Sequence, residues 1–121
     1  MKPEIKQKWI DALRSGEYSQ TSQSLKDSQG FCCLGVLCDL YLNEEPNPNG
    51  FWKDDAFYYD NSYGDVWSEE YLPEPVMDWA GLNDDNPRVW SNGVDKSICI
   101  SDLNDMGTSF SQIADVIEKQ L

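Results

Sequence analysis

The chain contains no histidine and few basic residues. Lys and Arg number 9 against 22 Asp and Glu among 121 residues, for a formal net charge of −13. The missing histidine removes the commonest general base and the commonest metal ligand. The acidic excess repels phosphate, so it argues against direct nucleic-acid binding, which depends on neutralising phosphates with basic side chains. The same excess favours contact with a basic protein surface.

Long hydrophobic runs are also absent. No apolar stretch approaches the roughly eighteen residues that a membrane-spanning helix needs. The first residues, MKPEIKQKWIDAL, are polar and amphipathic, unlike a secretory signal peptide with its apolar centre. We therefore expect a cytoplasmic protein that does not enter a membrane, in a compartment where thiols stay reduced. Residues 1–121 are expected to form a single globular domain.

Three of the 4 cysteines fall in the apolar stretch GFCCLGVLCDLYL, residues 30–42. From Phe31 to Leu42 only Gly35 and Asp39 are not apolar, and a spacing of four residues puts both on one narrow face of a helix. A helix that is apolar nearly all round is a central, buried one. Because glycine lowers helix propensity, we expect another backbone to cross closely at Gly35.

The thiols of this stretch are compatible with a metal site, a nucleophile, a redox pair or simple core packing. A closed zinc site needs four ligands with workable spacing, whereas Cys33 and Cys38 are five residues apart and no histidine completes a set. A nucleophilic cysteine needs a base or a cation beside it, and this helix offers only Asp39. Free cysteine packs as a small hydrophobe. We predict buried, reduced thiols, and no metal, cofactor or catalytic residue.

The flanking segments predict further helices. Residues 2–16 read as an opening helix with one apolar face, and LPEPVMDWAGL as a short helix that ends at Gly81. Ser101 is expected to cap a turn of helix, and Ser109 with Gln112 forms a capping box before a last amphipathic helix. With a short strand in KSICIS, these elements predict an α+β fold. In it, a buried central helix packs with an N-terminal and a C-terminal helix against a small antiparallel sheet or hairpin.

Four strings of the sequence resemble a widespread family of small uncharacterised proteins encoded by bacteriophages and bacterial chromosomes. They are ALRSGEYSQ, the CCLGVLCDL string, YLPEPVMDWAGL and the C-terminal segment LND-x-G-x-SF-x-x-IAD-x-IE. The likeness spans nearly the whole chain apart from its acidic middle. It implies an origin in a phage or another mobile element, and no established activity comes with it.

The middle of the chain concentrates both acids and aromatic rings. Residues 39–85 hold thirteen acids and a single base, Lys53, which gives a local charge of −12. Eight of the fifteen aromatics lie in residues 51–71, and DNSYGD is expected to reverse the chain between FYY and VW. Carboxylates pair with guanidinium or ammonium groups, and ring faces attract them. The candidate binding residues are Trp52, Asp54, Asp55, Tyr58, Tyr59, Asp60, Tyr63, Asp65, Trp67, Glu69 and Glu70.

Three function classes are compatible with this composition. We favour a non-enzymatic acidic binding protein that binds and inhibits a basic macromolecular partner, such as a host nucleic-acid-binding or defence protein. Against it stands the bland alternative that acidity only keeps a small protein soluble. Aromatic rings exposed on an acidic surface would support the binding function.

The second class is a small-molecule or nucleotide-binding protein with a pocket lined by Trp52, Tyr58 and Tyr59. Nucleotide-like ligands are anionic, so this hypothesis needs cations gathered at one place, from among Arg14, Lys26 and Arg88. The third class is a glycoside hydrolase that uses two carboxylates, such as Glu69 with Glu74 or Asp78. Acids are too abundant in this chain for any one pair to stand out.

Overall fold

A computed structural model describes residues 1–121 of the chain. It contains five helices and seven short strands. The helices are α1 (Pro3–Arg14), α2 (Cys33–Glu44), α3 (Glu74–Ala80), α4 (Ile100–Asp105) and α5 (Phe110–Gln120). The strands are β1 (Lys26–Asp27), β2 (Gly30–Phe31), β3 (Phe51–Lys53), β4 (Ala56–Asn61), β5 (Gly64–Ser68), β6 (Arg88–Ser91) and β7 (Lys96–Cys99). The predicted α+β class is confirmed. None of the helices is long and apolar enough to cross a membrane.

The strands form three separate antiparallel sheets. β1 pairs with β2, and β6 pairs with β7, as two-stranded ladders. β3, β4 and β5 form a three-stranded meander in chain order. The hairpin predicted at DNSYGD is the β4–β5 connection, in which Asn61 pairs with Gly64. Much of the acidic middle of the chain therefore forms a sheet of its own.

Helix α2 lies at the centre of the core, as its apolar periodicity predicts. Every residue from Cys33 to Cys38 is buried, and α1, α3 and α4 all contact this helix. Complete burial of a Leu or Val side chain stabilises the fold by about 1.5–3 kcal/mol, so this run is a major part of the core. The C-terminal helix α5 packs chiefly against α1 and adds its own apolar face to the core.

Helix α1 joins α2 and α5 through its apolar face. Ile5, Trp9, Ile10 and Leu13 are buried, as the spacing predicts. The Trp9 indole Nε1–H donates to the carbonyl oxygen of Cys33 at 2.9 Å, which satisfies the polar atom of a fully buried ring. At the surface, the α1 residue Arg14 forms ion pairs with carboxylates of α5.

The buried state predicted for the thiols is confirmed. Cys32, Cys33 and Cys38 are free and buried, and Cys99 is half-buried. Burial raises the pKa of Cys32 to about 11 and the pKa values of Cys33 and Cys38 well above the ordinary thiol value. These three buried thiols therefore stay protonated at neutral pH. Cys32 also caps α2, since its Sγ accepts from the Gly35 N–H at 3.4 Å.

The prediction that Ser101 caps α4 is wrong. Cys99 is the N-cap residue, it makes no side-chain capping bond, and Ser101 lies within the helix. Asn86 supplies the missing bonds from a preceding loop: its Oδ1 accepts from the Ser101 N–H at 3.1 Å, and its Nδ2 donates to the Ser101 hydroxyl at 2.7 Å. The capping box of Ser109 and Gln112 is confirmed at the start of α5.

Candidate binding surface

Two tight turns shape the β3–β5 sheet. Asp54 and Asp55 connect β3 to β4 with φ angles of 49° and 65°, the left-handed conformation that a type I′ hairpin turn requires. Between β4 and β5, the Tyr63 N–H donates to Asn61 Oδ1 at 2.8 Å, which is an Asx turn. The two acids therefore lie at one end of the sheet, and Tyr63, 96% exposed, lies at the other.

One face of the sheet, the inner face, packs onto the core. Phe57 is fully buried, and its ring centroid lies 6.3 Å from that of Tyr41 in α2 and 5.4 Å from that of Trp52. Tyr59 packs beside Phe57 on the same face. Trp52 and Tyr59 are both only partly accessible and pack against the hydrophobic core.

Asp39 fixes the inner face to α2. Its carboxylate accepts hydrogen bonds from Tyr18 Oη at 2.7 Å, Trp52 Nε1 at 3.2 Å and Asn43 Nδ2 at 3.2 Å. Burial, together with the bond to Asp39, raises the pKa of the Tyr18 hydroxyl, so that this group remains a donor. Asp39, an acid in the middle of the apolar helix α2, therefore serves to position the sheet.

The opposite face of the sheet carries a ladder of three aromatic rings, one from each strand. Strand register places Tyr58 between Phe51 and Trp67, with ring centroids 5.8 Å and 6.2 Å away. Phe51 is 55% exposed and Trp67 61% exposed. We call this the outer face, formed by Phe51, Lys53, Tyr58, Asp60, Asp65 and Trp67. Exposed apolar rings arranged side by side are typical of contact surfaces.

Two carboxylates oppose each other in the next row of the outer face. Asp60 and Asp65 are directly paired across β4 and β5, where like charges repel. The hydrogen bond between the two carboxyl groups, and the charge of Asp65, raise the pKa of Asp60 above its ordinary value. No basic side chain forms an ion pair with either acid, since the three ion pairs of the protein all involve Lys8 or Arg14. Unneutralised negative charge therefore borders the aromatic ladder.

A groove of about 290 Å³ runs beside this row. Asn49 holds one wall: its Oδ1 accepts from the Asp60 N–H at 3.0 Å, and its Nδ2 donates to the Asp60 carbonyl at 2.7 Å. The Asn49 N–H donates in turn to the Tyr41 hydroxyl at 2.7 Å. The bonds to Asp60 continue the pairing of β3 with β4 beyond the first residue of β3. The bond to Tyr41 connects this edge of the outer face to the core.

A comparison with known protein families gives a match over the whole length of the chain. Residues 1–121 match the family described as Domain of unknown function (DUF8296). The chain belongs to this family. No curated protein and no solved structure gave a match. The function is therefore argued from the surface itself.

Only part of the predicted site comes together in this DUF8296 domain. Tyr58, Asp60, Asp65 and Trp67 lie side by side on the outer face, with the Asp54–Asp55 turn and Tyr63 at its two ends. Trp52 and Tyr59 lie on the inner face. Glu69 and Glu70 leave the sheet: the Glu69 carbonyl accepts from the Leu25 N–H at 2.7 Å, and Glu70 lines a cleft near the start of α2. Phe51 belongs to the ladder and was missed, although its alternation with Trp52 was the available signal.

The cations required for an anionic ligand do not gather. Arg14 pairs with α5, and Arg88 donates to Ser97 and Cys99. Lys26 lies over the Phe31 and Trp52 rings, at 5.5 Å and 5.3 Å from their centroids. Of the pocket hypothesised from Trp52, Tyr58 and Tyr59, the two tyrosines line the groove beside Asp60, whereas Trp52 does not. No group of three or more Cys, Asp or Glu side chains is placed to hold a metal ion.

Proposed function

We propose that this protein is a non-catalytic binding protein whose outer face engages a basic macromolecular surface. The observation that supports it is the aromatic ladder, in which Phe51 and Trp67 are exposed and Tyr58 is half-buried between them, beside the unneutralised pair Asp60 and Asp65. Apolar rings left in water have an unfavourable free energy that burial at an interface recovers. Carboxylates that form no ion pair within the chain are free to pair with cations of another protein.

The acids and the rings have different roles in this proposal. The charge of −12 over residues 39–85 speeds encounter with a basic partner, most strongly at low salt. The rings occupy the centre of the face, where water is excluded on binding and where aromatic anchors supply most of the affinity. Proteins that bind nucleic acids carry basic surfaces, so they are partners of the kind that this acidic face would attract.

The likeness to phage and bacterial proteins suggests the setting. We extend the proposal to the cytoplasm of a bacterial host, where the protein would cover the basic surface of a host nucleic-acid-binding or defence protein. Such a surface neutralises phosphates, so occupying it inhibits by competition. This inhibition requires no catalytic residue.

The test removes the charge of the outer face without disturbing its turn. Asparagine is the compatible replacement at Asp54 and Asp55, because both residues have positive φ angles. We therefore combine Asp54→Asn, Asp55→Asn, Asp60→Asn and Asp65→Asn. The probe is a fluorescent peptide of alternating arginine and serine, mixed with protein in a stopped-flow instrument. At low salt we expect the association rate constant to fall by roughly tenfold, since steering by charge acts on association.

The matched control carries the same net charge. It combines Glu4→Gln, Glu17→Gln, Asp78→Asn and Asp95→Asn, which are exposed and lie outside the β3–β5 sheet. We expect a clearly smaller fall for this variant. An equal fall in both variants would show that acidity acts only through the total charge, and failure of the wild-type protein to bind the peptide at all would contradict the proposed function outright.

A further inference from the structure

Lys53 is the single base among residues 39–85, and its ammonium group lies over a ring of the outer face. The Nζ atom is 5.8 Å from the centroid of the Tyr58 ring. Lys53 forms no ion pair, although thirteen acids lie in the same stretch of sequence. The middle ring of the ladder therefore holds a cation that belongs to the chain itself.

We infer that Lys53 occupies the position that a cation of the partner takes on binding, and that the partner displaces it. The inference rests on the proposed function and identifies where the partner's charge is received. Tyr58 lies between Phe51 and Trp67, so a cation beside its ring sits at the centre of the aromatic ladder. Binding there requires that the Lys53 side chain move aside, which makes Lys53 an internal competitor.

The geometry favours arginine over lysine as the partner's cation. The Phe51 and Tyr58 rings are stacked nearly parallel, at 14°, and a planar guanidinium group can join such an arrangement of aromatic rings by stacking, which an ammonium group cannot do. The Asp60–Asp65 pair lies one row further along the strands, about 7 Å away. Alternate side chains of an extended segment have the same spacing of about 7 Å. One arginine of such a segment would then cover Tyr58 while the next pairs with the two carboxylates.

The test compares two variants that lose the same charge at different places. Lys53→Met removes the competitor, and Lys96→Met removes another exposed lysine, beside the turn of the β6–β7 hairpin. With the arginine–serine peptide, we expect Lys53→Met to bind about two- to fivefold more tightly than Lys96→Met, the range that corresponds to one exposed cation–π contact. A lysine–serine peptide of equal length should bind the wild-type protein more weakly. Lys53→Gln serves as a second variant in case the methionine variant does not fold.

Tyr58→Leu in the Lys53→Met background should abolish the gain, because the ring is then absent. Equal affinities of Lys53→Met and Lys96→Met would overturn the inference, and equal binding of the two peptides would remove the preference for arginine. Either result is distinguishable from failure of the proposed function. In that case the variant neutralised at the outer face would bind the peptide as well as the control variant neutralised elsewhere.

Discussion

The carbonyl oxygen of Leu25 occupies the space in which a β-carbon on Gly35 would stand. The Leu25 segment cannot retreat easily, because its N–H donates to the Glu69 carbonyl at 2.7 Å and its carbonyl accepts from the Cys32 N–H at 3.1 Å. The close backbone crossing expected at Gly35 is confirmed. The crossing places the chain that precedes β1 directly on the central helix.

Gly35→Ala should destabilise the protein even though alanine has the higher helix propensity. The propensity gain is about 1 kcal/mol, whereas displacing an anchored backbone costs roughly 1–3 kcal/mol as overpacking does. Urea denaturation should show a net decrease in the free energy of unfolding for Gly35→Ala and a larger decrease for Gly35→Leu. Ser111→Ala, at an exposed position of α5, is the control and should leave stability nearly unchanged. A Gly35→Ala variant as stable as the wild-type protein would refute the crossing.

The thiols should react at two rates. Cys99 is half-buried and should react with a thiol reagent in the native protein, while Cys32, Cys33 and Cys38 should react only after denaturation. Cys33→Ala or Cys38→Ala should lower the free energy of unfolding by roughly 1 kcal/mol or more, through a small cavity. Cys38→Asp should prevent folding, because it buries an unpaired charge. Stoichiometric zinc in protein purified without added metal would contradict this account.

The features predicted correctly from sequence are those that depend on local periodicity. The apolar run of α2, the capping box at Ser109 and the β4–β5 turn are each encoded within a dozen residues. The features that were missed depend on contacts between distant segments. Asn86 caps α4 from a separate loop. At the start of α2, the Cys33 N–H donates to Oδ1 of Asn104, which lies seventy-one residues further along the chain. Short-range patterns carry no signal for such pairs.

The candidate site shows the same division. Interleaved rings and acids predict a binding surface in the middle of the chain, and strand alternation divides that segment between two faces of the sheet. Trp52, one of the candidate binding residues, lies on the inner face, where its indole N–H donates to Asp39. The turn between β3 and β4 sets which residues point outward, and a two-residue turn with positive φ angles at Asp54 and Asp55 was not evident from the letters DD.

Asn104 should be among the least replaceable residues of the protein. Its side chain is buried and makes four hydrogen bonds: Oδ1 accepts from the Cys33 N–H and Gln20 Nε2, and Nδ2 donates to the Thr21 carbonyl and Asp105 Oδ1. Asn104→Leu leaves several polar groups unpaired and should cost about 2–4 kcal/mol in denaturation experiments.

Asn104→Asp should be worse at neutral pH, because a carboxylate cannot donate to the Thr21 carbonyl and repels Asp105. Asn83→Ala, at an exposed position without side-chain hydrogen bonds, is the control. Similar stabilities for Asn104→Leu and Asn83→Ala would show that Asn104 has no special role.

The pairing of Asp60 with Asp65 predicts a stability that depends on pH. The pKa of Asp60 is raised in the folded state by its hydrogen bond to Asp65 and by the charge of that residue. A raised folded pKa contributes stability below the unfolded pKa, and this contribution is lost as the pH rises through the folded value. At neutral pH the pair therefore opposes folding, and Asp65→Asn should raise Tm at pH 7. Near pH 3, where Asp60 is largely protonated in both states, the gain should disappear.

The same variant separates stability from binding. Asp65→Asn should be more stable than the wild-type protein at pH 7 and yet bind the arginine–serine peptide less tightly, because one of the two facing carboxylates is gone. Asp78→Asn, an exposed acid of α3, controls for the change in net charge and should alter neither property as much. A more stable Asp65→Asn protein with undiminished peptide affinity would mean that the carboxylate pair has no part in binding. A loss of affinity together with the gain in stability would instead show that the same carboxylate pair weakens folding and strengthens binding, as expected if a cation of the partner relieves the repulsion.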